Sequence, residues 1–395
     1  MGVAYMCVMS THTLIDRRVA WGAVLASTSL LVTGCIIPSG GSDASSSAPA
    51  SSSAASGAQQ GIDAARPAVV RIEVEGSYVD PAEGRVASGG SGSGFIIDPE
   101  GHVVTNAHVV EGAGLVRVYV EDQDEPVTAR VLGVSECNDL AVLDLSGDAY
   151  PYLAWQEGDV DTGTDIYVAG FPLGDPEFSL TRGIISKARA DGDSSWASIP
   201  YALEHDAAIQ PGNSGGPLLS TDGQVVGINY ASSDPTNTSQ YFAIPAGLAR
   251  DVVETLVEGT DVESLGINGF AWYDDADEIG GIWVSGIRAG SAASNVGVEP
   301  GDILLSLAGR DVVTAEDNAT KRGYCDVLRT QGDTKAMEIA VYRPDTGELL
   351  EGEINNPAKP LEVVGTVTAD DGDTDTDGGT STAVPAGFRR VTDST

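Results

Sequence analysis

From Pro67 to about Ala246, β-branched and other apolar residues come in short runs or alternate with polar ones. Gly, Pro, Asp and Asn clusters break the pattern every few residues. The segments AVVRIEVEG, GSGFIIDPEGHVVTNAH, LVRVYVED, VTARVLGV, LAVLDL, DIYVAGFP, LTRGIISKARA, VVGINYAS and YFAIPA each read as strands. That density of short strands predicts an all-β barrel or sandwich. The period changes after Ile244-Pro-Ala. Leu248, Val252, Val253 and Leu256 fall at helical spacing, which predicts a helix closing the region near Glu258. A second patterned region runs from about Asp261 to Asn356. It holds SLGING, IWVSGIRAGSAASNVGVEPGDILLSLAGRDV, a polar stretch through Leu328, and MEIAVYRPDTGELLEGEI. Residues 35–61 are Ser/Ala/Gly-rich with no apolar period, so they read as a flexible tether. The tail at 358–395 is acidic and Gly/Thr/Asp-rich and reads as a solvated, disordered segment.

A chain of 395 residues has room for two ordinary domains with extra segments, and 42% hydrophobic residues suffice for a core. Charge narrows the partners. The formal net charge is −37, from 58 Asp+Glu against 21 Lys+Arg. Such a chain repels nucleic acid and anionic lipid, so neither is expected as a partner through charge. Two readings of the acidity remain. It could attract cationic ligands. The reading favoured here is a hydrated surface suited to high salt, where screening removes self-repulsion.

The N-terminus reads as a processing segment at 1–34. Arg17 and Arg18 form a positive start, and an apolar run from Val19 to Thr33 is short for a membrane span. It ends Leu31-Val-Thr-Gly-Cys35. That resembles a lipoprotein signal, cleaved before a cysteine that then carries lipid on its sulfur. The alternative is a signal peptide with an incidental cysteine. Arg17-Arg18 also matches a twin-arginine export signal weakly, and Met9 could serve as the start. Each version exports the chain. Lipidation at Cys35 would hold it to the outer face of the membrane. Cys137 and Cys325 remain, and an exported protein permits a disulfide, but connectivity cannot be derived from sequence. No cofactor or metal is expected. Asp373-Thr-Asp-Thr-Asp-Gly378 begins like a calcium loop, yet its twelfth position is Val384 where a bidentate Glu is needed.

The candidate chemistry centres on Gly212-Asn-Ser-Gly-Gly216, where glycines let backbone fold closely around Ser214. It fits the loose pattern G-x-S-x-G of the α/β-hydrolase nucleophile turn. That fold needs a histidine after the serine. The four histidines are His12, His102, His108 and His205, and none follows Ser214. What remains is the chain order His, Asp, Ser. His12 lies in the signal, His102 in a hairpin turn, and His205 on an expected strand. His108 ends VVTNAHVV, where a strand meets a turn of small residues, and Asp139 follows in Cys137-Asn-Asp-Leu-Ala-Val-Leu143.

TNAHVV, NDLAVL and GNSGGP together resemble the three motifs of the exported HtrA (Deg) serine proteases, and the resemblance covers about 62–356. It implies a mostly β protein: a chymotrypsin-like double β-barrel protease domain at 62–258, followed by an α+β PDZ domain at 259–357. Ser264-Leu-Gly-Ile267, Ala289-Gly-Ser-Ala-Ala293, Gly297–Ile303 and Ala308–Asp311 carry the PDZ likeness. The resemblance implies a catalytic triad of His108, Asp139 and Ser214, and an oxyanion hole from the amides of Gly212 and Ser214. A peptide terminus would sit on Leu265, Gly266 and Ile267. A basic-residue pocket would need a carboxylate six residues before the nucleophile. Ala208 stands there, so Ala208, Ile209, Ile228 and Ala243 are expected to line a pocket for small or medium aliphatic residues. The expected partners are polypeptide substrates, the membrane through Cys35, and other copies of the chain, a trimer by family resemblance. Two alternatives stand beside quality control of damaged proteins. One is a dedicated processing protease for one substrate. The other is a lipid-anchored PDZ binding or chaperone module.

Overall fold

The computed structural model describes residues 58–366 except 83, 122, 124, 234–238, 275–278 and 316–318. The expected signal, Cys35 and the calcium-like Asp373–Val384 stretch lie outside the described residues. The chain begins with a short strand, β1 (Ala58–Gln59). It continues through β2 (Val69–Asp80), β3 (Gly84–Ile96), β4 (His102–Thr105), helix α1 (Ala107–Val110), β5 (Leu115–Tyr119), β6 (Val127–Ser135) and β7 (Leu140–Leu145). Strands β2 to β7 close an antiparallel barrel in the order β2-β3-β4-β7-β6-β5. Period-two patterning explains why: in β5, Val116 and Val118 are buried while Arg117 between them is only partly covered.

After β8 (Tyr152–Leu153) a second barrel forms from β9 (Asp165–Gly170), β10 (Ser179–Ala190), β11 (Ala202–His205), β12 (Pro217–Ser220), β13 (Val225–Ser233) and β14 (Gln240–Pro245). It closes in the order β10-β11-β14-β13-β12-β9. Each barrel has its own interior, and a further cluster binds the two together. Phe95, Val104 and Leu140 from the first barrel meet Leu219, Ile228 and Ile244 from the second in that cluster. Helix α2 (Ala246–Val257) lays Ala249, Val253 and Leu256 on it, the face anticipated from helical spacing. The mostly β, double-barrel architecture is therefore present.

A third layer follows. It is a seven-stranded sheet of β15 (Ile267–Asp274), β16 (Ile279–Ile287), β17 (Ile303–Leu307), β18 (Arg310–Asp311), β19 (Met337–Arg343), β20 (Glu348–Ile354) and β21 (Glu362–Thr366). Helices α3 (Ala292–Val296) and α4 (Arg322–Gln331) pack on it. Two expectations about segment ends need correction. Residues 58–61 are not tether: Ala58 and Gln59 pair with Tyr152 and Leu153, and the Gly61 amide donates to Asp222 O at 2.7 Å. Residues 362–366 are not tail: β21 pairs with β20, and Leu361 before it donates its amide to Val296 O at 2.9 Å. Neither segment carries an apolar period. Backbone pairing at an exposed sheet edge orders them instead.

Candidate active site

Strand β4 delivers the chain to Asn106, whose extended backbone turns it into α1. Asn106 does not cap that helix with its side chain. Its Nδ2 donates to Asp139 O at 2.8 Å. Asp139 has φ 50, the left-handed region that Asp tolerates better than most residues. This turn aims its carboxylate back at α1. Oδ1 accepts the His108 amide at 3.0 Å, and Oδ2 lies 2.8 Å from His108 Nδ1. With one carboxylate oxygen accepting the His108 amide and the other facing the ring, Nδ1 is the donor edge of the imidazole in this geometry. Nε2 of His108 is thereby left as the acceptor on the other edge of the ring.

The serine loop crosses the seam between the barrels. Ser93 on β3 donates its amide to Ser214 O at 2.9 Å, while Gly215 donates to Asn229 O on β13 at 2.8 Å. A Cβ on Gly215 would meet Thr105 Oγ1 at 2.2 Å and the Asn106 amide at 2.9 Å, so only glycine lets the loop lie against the start of the histidine helix. A Cβ on Gly92 would touch both Val109 and Ser214 O. The half-buried Ser214 thus lies beside the turn of chain that carries His108. Sequence placed the three candidate residues 31 and 75 positions apart; the fold joins His108 to Asp139 and lays the serine loop against the start of α1.

The amides of this loop are aimed. Pro211 O accepts the Leu173 amide at 2.6 Å. Peptide bonds here are trans, so the Gly212 N–H faces the opposite side of that peptide. The next peptide is held by the buried Ser93, whose Oγ donates to Gly212 O at 2.7 Å and accepts the Phe171 amide at 2.9 Å. Among the described residues, neither the Gly212 nor the Ser214 amide donates to a protein acceptor. Gly212 has φ 98, and a Cβ there would meet Phe171 O and Leu173 N, both at 2.7 Å.

Behind the couple lies a second buried cluster that sequence reading missed. Glu136, three residues before Asp139, sends its carboxylate away from the barrels onto the amides of Leu265, Gly266 and Ile267, where the sequence led us to expect a peptide terminus. Cys137 is bonded to Cys325 on α4 across 188 residues. Asn268 on β15 donates to Glu111 O at 2.7 Å, just beyond α1. Trp196 packs its ring 5.1 Å from His108 on one side and 5.1 Å from Phe270 on the other. Burial, with the charge of Glu136 next, raises the Glu111 carboxyl well above its ordinary range. The sequence signals for this cluster were Trp196 and the two cysteines, Cys137 and Cys325, within polar stretches, and none of them pointed to Glu136.

Other expected residues are dispersed. Ala208 is exposed and Ile209 half-buried against the second-barrel interior, which also contains the fully buried Ala243. Ile228 belongs to the inter-barrel cluster instead. His102 is half-buried at the hairpin turn, with Nδ1 2.6 Å from Asp98 Oδ2. His205 is buried beside Tyr241.

Two closed barrels with a glycine-rich serine loop at their seam, packed against the start of the helix that carries the Asp139-bound His108, define a trypsin-like serine protease architecture. The Trypsin-like peptidase domain family matches residues 92–228. A probable periplasmic serine endoprotease DegP-like from Marinomonas sp. is 35% identical over 321 residues, covering 75% of this chain and 66% of that protein. The serine protease Do-like HtrA of Bacillus subtilis is 32% identical over 253 residues, covering 58% and 56%. A solved HtrA-type protease, AlgW with decapeptide, is 26% identical with a TM-score of 0.45, covering 76% of this chain and 97% of that one. The chain belongs to the HtrA-like serine proteases. It spans about half the length of the first curated relatives it matches.

Proposed function

We propose that the chain is a serine endopeptidase of exported, unfolded or damaged proteins, using His108, Asp139 and Ser214. The observation that carries this reading is the double grip of Asp139 on the amide and Nδ1 of His108, beside a serine loop with two undonated amides. Ser214 Oγ attacks the scissile carbonyl carbon as His108 Nε2 takes its proton. The carbonyl oxygen becomes an oxyanion, which the Gly212 and Ser214 amides stabilise. Each such donor lowers the barrier by roughly 3–4 kcal/mol. His108 then protonates the leaving amine, an acyl-enzyme forms, and water reverses the sequence. Asp139 holds the tautomer and stabilises the imidazolium.

The domain reading is a protease domain ending near residue 258 and a PDZ domain over about 259–366. With Ala208 six residues before the nucleophile, cleavage after small or medium aliphatic residues is proposed. Export, a lipid anchor at Cys35, a homotrimer and an acidic surface adapted to salt complete the reading. The test compares wild type and Ser214→Ala on casein at low and multimolar salt. The wild type should cleave, more so in salt. Ser214→Ala should lose roughly 10⁶-fold in kcat. Equal activity of the two proteins overturns the serine mechanism, and cleavage of one exported protein but not casein favours a dedicated processing enzyme.

A further inference from the structure

The carboxylate of Glu136 takes no part in the proposed hydrolysis. It is nevertheless buried, and its Oε1 accepts from Ser264 Oγ at 2.8 Å and from the amides of Leu265, Gly266 and Ile267 at 2.8, 2.6 and 2.8 Å. Tyr324 OH on α4 donates to Oε2 at 2.6 Å. Loop amides converging on a carboxylate are the means by which a peptide terminus is captured beside a sheet edge. Here the carboxylate is a side chain of the barrel pair. The rest of the groove is filled from the same side. β15 is the edge strand of its sheet, and its Ala271 amide donates to Ser195 O at 2.8 Å. The Lys321 amide, at the start of α4, donates to Ser194 O at 2.8 Å. An added strand would need those positions.

Covalent chemistry holds the occupant. Cys137 directly follows Glu136, and Cys325 directly follows Tyr324, so the disulfide ties the segment bearing the carboxylate to the helix that flanks it. Even short flexible tethers give effective concentrations of about millimolar. A free peptide terminus of ordinary affinity competes poorly with a ligand tethered one residue away.

We propose that the Ser264–Ile267 loop is a carboxylate-binding site whose resident ligand is the Glu136 side chain, and that the Cys137–Cys325 disulfide keeps it there, so that free peptide C-termini reach the loop only after reduction. This rests on reading the C-terminal sheet as a peptide-binding domain. Reduction by a dithiol supplies two electrons and two protons. The S–S bond breaks, two thiols form, and the reductant closes its own disulfide.

The test uses full-length Ser214→Ala protein, so binding is read without cleavage. Fluorescent hexapeptides ending in free Val, Leu, Phe or Ala, with amidated counterparts, are titrated against oxidised and dithiothreitol-reduced protein. Reduced protein and Cys137→Ser/Cys325→Ser should bind at least one free-carboxyl peptide about tenfold or more tighter than oxidised protein, and no amidated one. Hydrogen exchange should show the Leu265–Ile267 amides protected when oxidised and opened on reduction, whether or not the variants fold. Equal binding in both states overturns the proposal. So does free exchange at those amides in oxidised protein, or opened amides that bind no peptide. Failure here leaves the hydrolytic reading intact, and an inactive wild type leaves this one intact.

Discussion

Two loops in this molecule present backbone amides that no backbone carbonyl takes up, and they differ in what meets those amides. At Ser264–Ile267 a carboxylate is present in the folded protein, and its charge meets every donor aimed at it. At Gly212–Ser214 two amides have no protein acceptor among the described residues, and in the proposed mechanism they face a position that fills only when a substrate carbonyl becomes an oxyanion. A permanent anion organises its own nest, because each donor gains by turning toward it. A transient one cannot, so the serine loop is held by bonds on its outer side: Leu173 to Pro211 O, Ser93 to Gly212 O, and Gly215 to Asn229 O. The same local chemistry serves binding in one place and preorganisation in the other.

The comparison breaks most severely if the filled loop loses its anion. Glu136→Ala leaves several buried donors unmet and should destabilise the protein by about 3–5 kcal/mol, read as a shift in denaturant midpoint. A change below the error of that measurement would mean the carboxylate organises nothing. At the open loop, Gly212→Ala strains a φ of 98 and drives a methyl into Phe171 O and Leu173 N. Peptidase kcat should fall by about 10²–10³ with little change in KM or folded content.

A buried polar group without such a partner provides the control. His205 is buried, neither ring nitrogen makes a hydrogen bond of good geometry, and burial lowers its pKa to about 4 against smaller opposing pulls from the Ala207 backbone, Asp206 and Asn229. The unfolded chain binds the proton near pH 6.5 while the folded chain resists it, so stability present above 6.5 is lost as pH falls toward 4. The loss is up to about 3 kcal/mol, and His205→Phe should flatten this limb of a pH–stability curve. The smallest expected effect is at the outer tether. Ser93→Ala leaves the Phe171 amide and Gly212 O unpaired and should cost about 1–3 kcal/mol of stability, with a fall in kcat. Unchanged kcat at full folding would show that the Gly212–Asn213 peptide, which Ser93 holds, does not position the two flanking amides.

Much of the architecture was legible because its signals are local. Strands announced themselves through alternation, as in Leu115–Tyr119, and α2 through Leu248, Val252, Val253 and Leu256. The lack of any histidine after Ser214 excluded one hydrolase fold on chain order alone. The Glu136 cluster was illegible for a physical reason. Ser-Glu-Cys-Asn-Asp has the composition of a solvated turn, and what buries it lies more than a hundred residues away. Strands β1 and β21 escaped notice because edge pairing uses backbone, which every residue carries.

The amino-acid order alone determined which side chains could act, and in which chain order, because period and motif are properties of neighbouring residues. Only the tertiary structure decided that the serine loop lies on the seam against the start of α1, that Cys137 meets Cys325, and that the loop read as a receptor for a peptide end is filled by Glu136. Those facts depend on which surfaces bury one another, and burial is settled by the whole chain at once.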